Sequence, residues 1–249
     1  MKIVCVIPAR LASSRFPRKM LSFLGGKPLL QRVFESALSM RCFSDVVIAV
    51  DSEEIQSLVE SFGGKALMTP SSCNSGTERI AWLAHKEMID GDVFVNWQGD
   101  EPFINKEMIG ELCQSLGEDG VDIWTLKKRI ENPDQVASLQ YAKIVTNCCG
   151  EALFFSRSPI PCYRDGGDWQ SQIYYKHVGI YAYTKRALLQ ILQFSPCEIE
   201  EAEKLEQLRF LYEGLKIRVH ETVHEVQGID LPEHLVAAEA LFSGCKVNS

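Results

Sequence analysis

Ile3-Val-Cys-Val-Ile-Pro-Ala-Arg10-Leu-Ala-Ser-Ser-Arg15-Phe-Pro-Arg18-Lys19 is the stretch that decides how this chain is read. Ile3–Ile7 is a short unbroken apolar run, which predicts a strand buried on both faces. Four cations follow it within ten residues: Arg10, Arg15, Arg18 and Lys19. The loop has neither the Walker A pattern nor the Gly-x-Gly-x-x-Gly of a dinucleotide fold. Few glycines means little cradling of an anion by bare backbone. Any phosphate held here must be gripped by side chains, with Arg supplying planar bidentate donors and Lys a point charge. A solvated basic loop is the plainer alternative.

Outward from that loop, strands and helices alternate. Pro28, after Gly25-Gly26-Lys27, suits the first turn of a helix running to about Met40. Val46–Val50 reads as a strand, and Asp51 or Ser52 caps the helix that stops at Gly63-Gly64. Lys65–Met68 and Val93–Trp97 read as further strands, with a helix over Thr77–Met88 between them. This alternation predicts βαβ crossovers and a mostly parallel sheet. The second half differs. Tyr141–Val145 and Ala152–Ser156 flank the turn Asn147-Cys-Cys-Gly150. A strand is expected over Tyr175–Tyr183, a charged helix over Glu198–Tyr212, a strand over Lys216–Glu221 and a closing helix over Pro232–Phe242. The reading is a single α/β domain over residues 1–249, Rossmann-like, with a β-rich insertion or lobe at about 130–185.

The chain has 249 residues, 46% of them hydrophobic, and a net charge of −7. That balance argues against a nucleic-acid binder, which carries a basic face. No run is long enough for a transmembrane helix, and the N-terminus lacks a signal-peptide pattern, so no membrane partner and a cytoplasmic location are expected. The nine cysteines are odd in number and show no Cys-x-x-Cys spacing. Reduced thiols fit that compartment better than a disulfide framework or a zinc site.

Ligands of open parallel sheets bind beyond the carboxyl ends of the strands. The cationic loop leaves one such end, and Gln98-Gly-Asp-Glu-Pro102 leaves another. Asp100 can hold a hard divalent cation or cap a helix. Cations and carboxylates facing one crevice call for a common ligand, and a magnesium nucleoside triphosphate satisfies both. In Ser75-Gly-Thr-Glu-Arg79, Gly76 allows backbone to approach a base or ribose. The local pattern itself favours capping by Ser75 or Thr77, with Arg79 on the surface. Asp230, in Gly228-Ile-Asp-Leu-Pro232, is a turn aspartate or a second metal ligand.

Taken in order, these motifs resemble the CMP-Kdo synthetase family, the 3-deoxy-manno-octulosonate (Kdo) cytidylyltransferases. The resemblance runs through Val6–Lys19, Met68-Thr69, Ser75–Arg79, Gln98–Pro102, Leu153–Pro161, Lys176–Tyr183, Leu205–Arg209 and Gly228–Asp230, essentially the whole chain. It implies a nucleotide-diphospho-sugar transferase fold and transfer of CMP from CTP to Kdo, with Mg2+ as cofactor and a homodimer as the usual assembly. On the nucleotide side it implies roles for Ala9, Arg10, Arg15, Lys19, Ser75, Gly76, Arg79 and Gln98. Asp100 and Asp230 become metal ligands and, with Arg10 and Lys19, the catalytic set. Arg157, His177, Tyr181, Glu206 and Gln207 become the sugar-acid contacts, with Arg157 facing the carboxylate.

Two departures stand out. Arg18 occupies a position where the family has glycine, which would strain the backbone if φ there is positive. After Asp230 the family has Thr-Pro-Glu-Asp, and this chain has Leu231-Pro-Glu-His234. Three other readings remain open at this point. They are a cytidylyltransferase for an 8-amino Kdo analogue or sialic acid, a glycosyltransferase using a nucleotide sugar, and a non-catalytic nucleotide binder.

Overall fold

The computed structural model of the chain describes residues 1–12, 16–166, 169–226 and 228–245, the last five of these by backbone alone. In chain order the elements are β1 (Ile3–Ala9), β2 (Phe23–Leu24), β3 (Lys27–Pro28), α1 (Leu29–Leu38), β4 (Asp45–Val50), α2 (Glu53–Ser61), β5 (Ala66–Met68), α3 (Gly76–His85) and β6 (Val93–Asn96). Then come α4 (Lys106–Cys113), β7 (Ile123–Arg129), α5 (Pro133–Ala137), β8 (Lys143–Thr146), β9 (Ala152–Ser156), β10 (Tyr175–Thr184) and α6 (Lys185–Ile191). The chain finishes with α7 (Glu198–Glu203), α8 (Gln207–Tyr212), β11 (Ile217–Thr222) and α9 (Pro232–Cys245). Its contacts gather into two compact units, Met1–Lys106 with Val226–Ser249, and Glu107–Glu225. The fold is mixed α/β with a mostly parallel central sheet, as the alternation predicts.

In the first unit β1 pairs in parallel with both β4 and β6, and β4 with β5. A strand with neighbours on both sides and helices over both faces must be apolar throughout, and all seven residues of β1 are buried. Helices α2 and α3 begin where polar caps stand. Ser52 Oγ accepts from the Ile55 N–H at 3.3 Å, and Ser75 Oγ from the Glu78 N–H at 3.1 Å. After the second unit the chain returns. The Ile229 N–H donates to the Asp100 carbonyl at 2.9 Å, and Ile229 packs in an apolar cluster with Leu24, Leu29 and Ala238. That return sets Asp230 beside the loop that leaves β6.

In the second unit β7 lies between β11, parallel to it, and β10, antiparallel; β10 continues to β8 and β8 to β9. The β8–β9 hairpin is the one expected at Asn147–Gly150. β7 was not expected, because its apolar half, Ile123–Leu126, runs directly into Lys127-Lys-Arg129. The helix expected over Glu198–Tyr212 is two helices. Lys204, with φ 53 and ψ 47, adopts a left-handed C-cap that ends α7. Among the described residues no helix is long and apolar enough to cross a membrane.

Candidate active site

The carboxyl ends of β1 and β6 open into a cavity of about 310 Å3 lined by Arg10, Lys19, Ser75, Gly76, Arg79, Gln98, Asp100 and Asp230, among others. All eight were singled out on the nucleotide side or as metal ligands from scattered motifs, and the first unit brings them together. Arg15 lies outside the described residues. Ala9 is buried at the end of β1 and is not part of the lining; its neighbours Pro8 and Arg10 are. The alternation of a strand sends them to opposite faces.

Lys19 is the centre of the arrangement. It opens a single 3-10 turn, Lys19–Leu21, entered from Arg18 in the left-handed region at φ 58 and ψ 28. Arg18 is therefore strained where glycine would not be. Its guanidinium is exposed and pairs with Glu54 instead of facing the cavity. Lys19 is only 6% exposed. Its ammonium lies 2.5 Å from Asp100 Oδ2 and 3.3 Å from Asp230 Oδ1. One cation thus already sits between two carboxylates that are far apart in sequence. Asp100 caps no helix, since the next one starts at Lys106.

Behind the pair lies Glu101, which sequence reading passed over. Its Oε2 is buried with no hydrogen-bond partner. Burial pushes its carboxyl up to about 8, helped by the charges of Asp100 and Asp230 and opposed by Lys19. The shift favours the protonated, uncharged form of the acid. Its position next to Asp100 in a run of acids was the available signal.

Gly76 and Ser75 each do two jobs. Ser75 caps α3, as the local pattern suggested, and also lines the cavity. A Cβ at Gly76 would stand 2.8 Å from Pro8 Cγ, so only glycine lets α3 start this close to β1. Arg79 is not on the surface. It is 3% exposed, with Nη2 on Asp51 Oδ2 at 3.0 Å and Nη1 on Thr69 Oγ1 at 2.7 Å. Asp51, read only as a possible cap, accepts from the Leu11 N–H at 2.9 Å with its other oxygen. It thereby fastens the start of the cationic loop to the cavity wall. At Asp230, His234 takes part in the turn: its Nδ1 accepts from the Asp230 N–H at 3.2 Å.

The five residues implied for the sugar acid all lie in the second unit. His177 and Tyr181 face each other across a bulge in β10, with ring centroids 5.2 Å apart. Thr125 fills the bulge, its Oγ1 lying 2.8 Å from the Ile180 carbonyl and 3.1 Å from His177 Nε2. Burial drives the His177 imidazole down to about 3, so it is neutral and a poor proton acceptor. Burial likewise raises the Tyr181 phenol well above its ordinary range, with the charges of Tyr183 and Glu206 adding to the shift and Thr125 opposing it. Glu206 and Gln207 form the start of α8, with Gln207 buried. Arg157 is more occupied than a waiting carboxylate partner. Its Nε donates to the Glu203 carbonyl at 2.7 Å, Nη1 to the Leu139 carbonyl at 2.8 Å and Nη2 to the Lys204 carbonyl at 3.3 Å. It caps the C-terminus of α7, where carbonyls lack partners within the helix.

A parallel sheet whose strand ends carry a cation loop and an acid pair is the framework of a nucleotidyl transferase, and comparison with known proteins defines the class. A family model described as Cytidylyltransferase matches residues 4–217. The chain is 44% identical over 248 residues to the 3-deoxy-manno-octulosonate cytidylyltransferase of Thermodesulfovibrio yellowstonii, covering 96% of this chain and 97% of the relative. Against the enzyme of the same name from Geobacter sulfurreducens it is 43% identical over 244 residues, covering 94% and 97%. The solved structure of a CMP:2-keto-3-deoxy-manno-octonic acid synthetase complexed with CTP matches with a TM-score of 0.91 at 39% identity, over 98% of this chain and 99% of that one. The chain belongs to the cytidylyltransferase family, among the 3-deoxy-manno-octulosonate cytidylyltransferases.

Proposed function

We propose that this protein joins CTP and Kdo. The anomeric hydroxyl of Kdo attacks the α-phosphorus in line, a new oxygen–phosphorus bond forms, and the bond to the β-phosphate oxygen breaks to release pyrophosphate. The observation that carries the reading is the ammonium of Lys19, buried and shared between Asp100 and Asp230 at the mouth of the Arg10-lined cavity. Such a transfer asks little covalent work of the protein. It asks for two anions to be held against each other and for spread charge to be stabilised. Arg10 and Lys19 supply positive charge to the triphosphate, with Arg15 assigned to the same task. Lys19 exchanges carboxylate for phosphate oxygens as CTP arrives. Ser75, Gly76 and Gln98 surround the cytidine. Arg79 shapes that wall through Asp51 and Thr69.

The donor set fits Mg2+. Two carboxylates, those of Asp100 and Asp230, converge on one position that the Lys19 ammonium now fills. That is the pattern of an ion completed by substrate phosphates and water. Asp100 and Asp230 would hold it, and it would supply charge neutralisation and a lower pKa for the attacking hydroxyl. On the sugar side, His177 as a neutral hydrogen-bonding group, Tyr181, Glu206 and Gln207 engage the hydroxyls of Kdo. Arg157 offers what its guanidinium has left to the carboxylate. The same reading takes the enzyme to be a cytoplasmic homodimer that feeds Kdo into lipopolysaccharide.

The test is pyrophosphate release from CTP with Kdo, an 8-amino analogue and sialic acid, each with and without Mg2+. Turnover is expected with Kdo and Mg2+, falling roughly 10²–10³-fold in Lys19→Met, as for loss of one charge-stabilising donor. Release supported by sialic acid but not Kdo, or undiminished in Asp100→Asn and Asp230→Asn, would overturn the assignment.

A further inference from the structure

Cysteine is among the residues most often buried, and hairpin tips favour Asn, Gly and Asp. Yet the β8–β9 tip carries two adjacent cysteines, Cys148 and Cys149, both exposed and unbridged. Nothing in the transfer chemistry uses them. Their surroundings hold them in one arrangement. The Gly150 N–H closes the turn on the Asn147 carbonyl at 3.0 Å. Asn147 Oδ1 accepts from the N–H groups of Cys149 and Glu151, each at 2.9 Å. The Val219 N–H donates to the Gly150 carbonyl at 2.8 Å, and Arg218 donates to the Cys149 carbonyl, so the tip is tied to β11. Within that frame the two free thiols are adjacent in the chain and close enough to influence each other electrostatically.

We propose that Cys148 and Cys149 form a preorganised two-thiol site for a soft, thiophilic trivalent metalloid, bound through both sulfurs at once. Both cysteines are free, so their sulfurs are farther apart than the 2.03–2.05 Å of a disulfide, and joining them directly would demand that a turn fastened on both sides contract. A single bridging atom spans the gap with the turn intact. With an organoarsenic(III) oxide the step balances without an oxidant. Two S–H bonds and the arsenic–oxygen bond break, two arsenic–sulfur bonds form, and the oxygen leaves as water with the two protons. Preorganisation lowers the entropy cost of the second bond, and that distinguishes this adjacent pair from the exposed cysteines Cys42 and Cys162, neither of which has a cysteine next to it in sequence.

The test uses the full-length protein, kept reduced with a phosphine and given one equivalent of phenylarsine oxide, followed by intact-mass measurement. The expected result is one adduct per chain that survives excess 2-mercaptoethanol and is removed by 2,3-dimercaptopropanol. Cys148→Ser and Cys149→Ser should each abolish the monothiol-resistant adduct, while the Cys42→Ser/Cys162→Ser double variant keeps it. Cytidylyl transfer by the two single variants should be unchanged, which shows that they are folded. A resistant adduct that persists in either single variant, that disappears from the control pair, or that never forms on the parent protein would overturn the proposal.

Discussion

Replacing Arg18 by glycine removes a Cβ from a backbone held at φ 58 and ψ 28, where L side chains collide with their own chain. That collision costs about 1.5 kcal/mol. Glycine gives back roughly 0.7 kcal/mol through the greater freedom of its unfolded state. The Arg18–Glu54 pair is lost as well, but with side chains 64% and 42% exposed it contributes at most a few tenths, on the order of 0.3 kcal/mol. Arg18→Ala loses the same pair and keeps the collision, so the comparison of Gly with Ala isolates the backbone. The glycine variant should be the more stable of the two by roughly 0.8 kcal/mol, or about 2–3 °C in Tm for a chain of this size. Thermal unfolding of the two variants beside the parent measures it. Pyrophosphate release should stay within about twofold of the parent in both, because Arg18 points away from the cavity. Equal melting temperatures for Gly and Ala would refute the strain, and a collapse of turnover would return Arg18 to the phosphate site.

Two other perturbations follow from the same geometry. Asp51→Ala strands both the Leu11 N–H and the Arg79 guanidinium, and breaking such a buried pair costs about 3–5 kcal/mol. Asp51→Asn keeps an acceptor and should cost less. Both should raise the KM for CTP more than they lower kcat, and kinetics indistinguishable from the parent in the alanine variant would remove Asp51 from any role in placing the loop. Glu101 predicts a pH dependence. With its folded-state carboxyl raised from 4.5 to about 8, the folded protein keeps a proton that the unfolded chain releases. Its contribution is fully present below pH 4.5 and is lost as pH rises to about 8, at no more than about 1.4 kcal/mol per pH unit. Glu101→Gln should flatten that part of the stability profile in urea titrations with chelator present; an unchanged slope would mean the acid is not buried neutral.

The first unit was the legible one. Its strands are unbroken apolar runs, the caps of α2 and α3 are serines in plain view, and the cations behind one strand and the acid behind another do line one cavity. What hid there were tertiary partnerships. Nothing around Arg79 reveals that Asp51 and Thr69 will enclose it, and Glu101 acquires its character only from depth. The second unit was harder for two physical reasons. β7 spends its last three residues on cations, which masks the strand period, and Lys204 adopts a left-handed turn that breaks an otherwise helical charge pattern. His177, Tyr181, Glu206 and Gln207 were identified by resemblance, because a bulge in β10 and the start of a short helix leave no local signature.

Lys19 and Asp230 touch although 211 residues separate them. The whole second unit is spelled out between the basic loop and the acid that completes the pair. A ribosome that stalls before residue 230 therefore releases a chain with the cations and Asp100 but without the partner acid. A chain cut short there keeps the basic residues of the first loop but cannot assemble the Asp100–Lys19–Asp230 cluster, so the cluster forms only once nearly the whole sequence has been made.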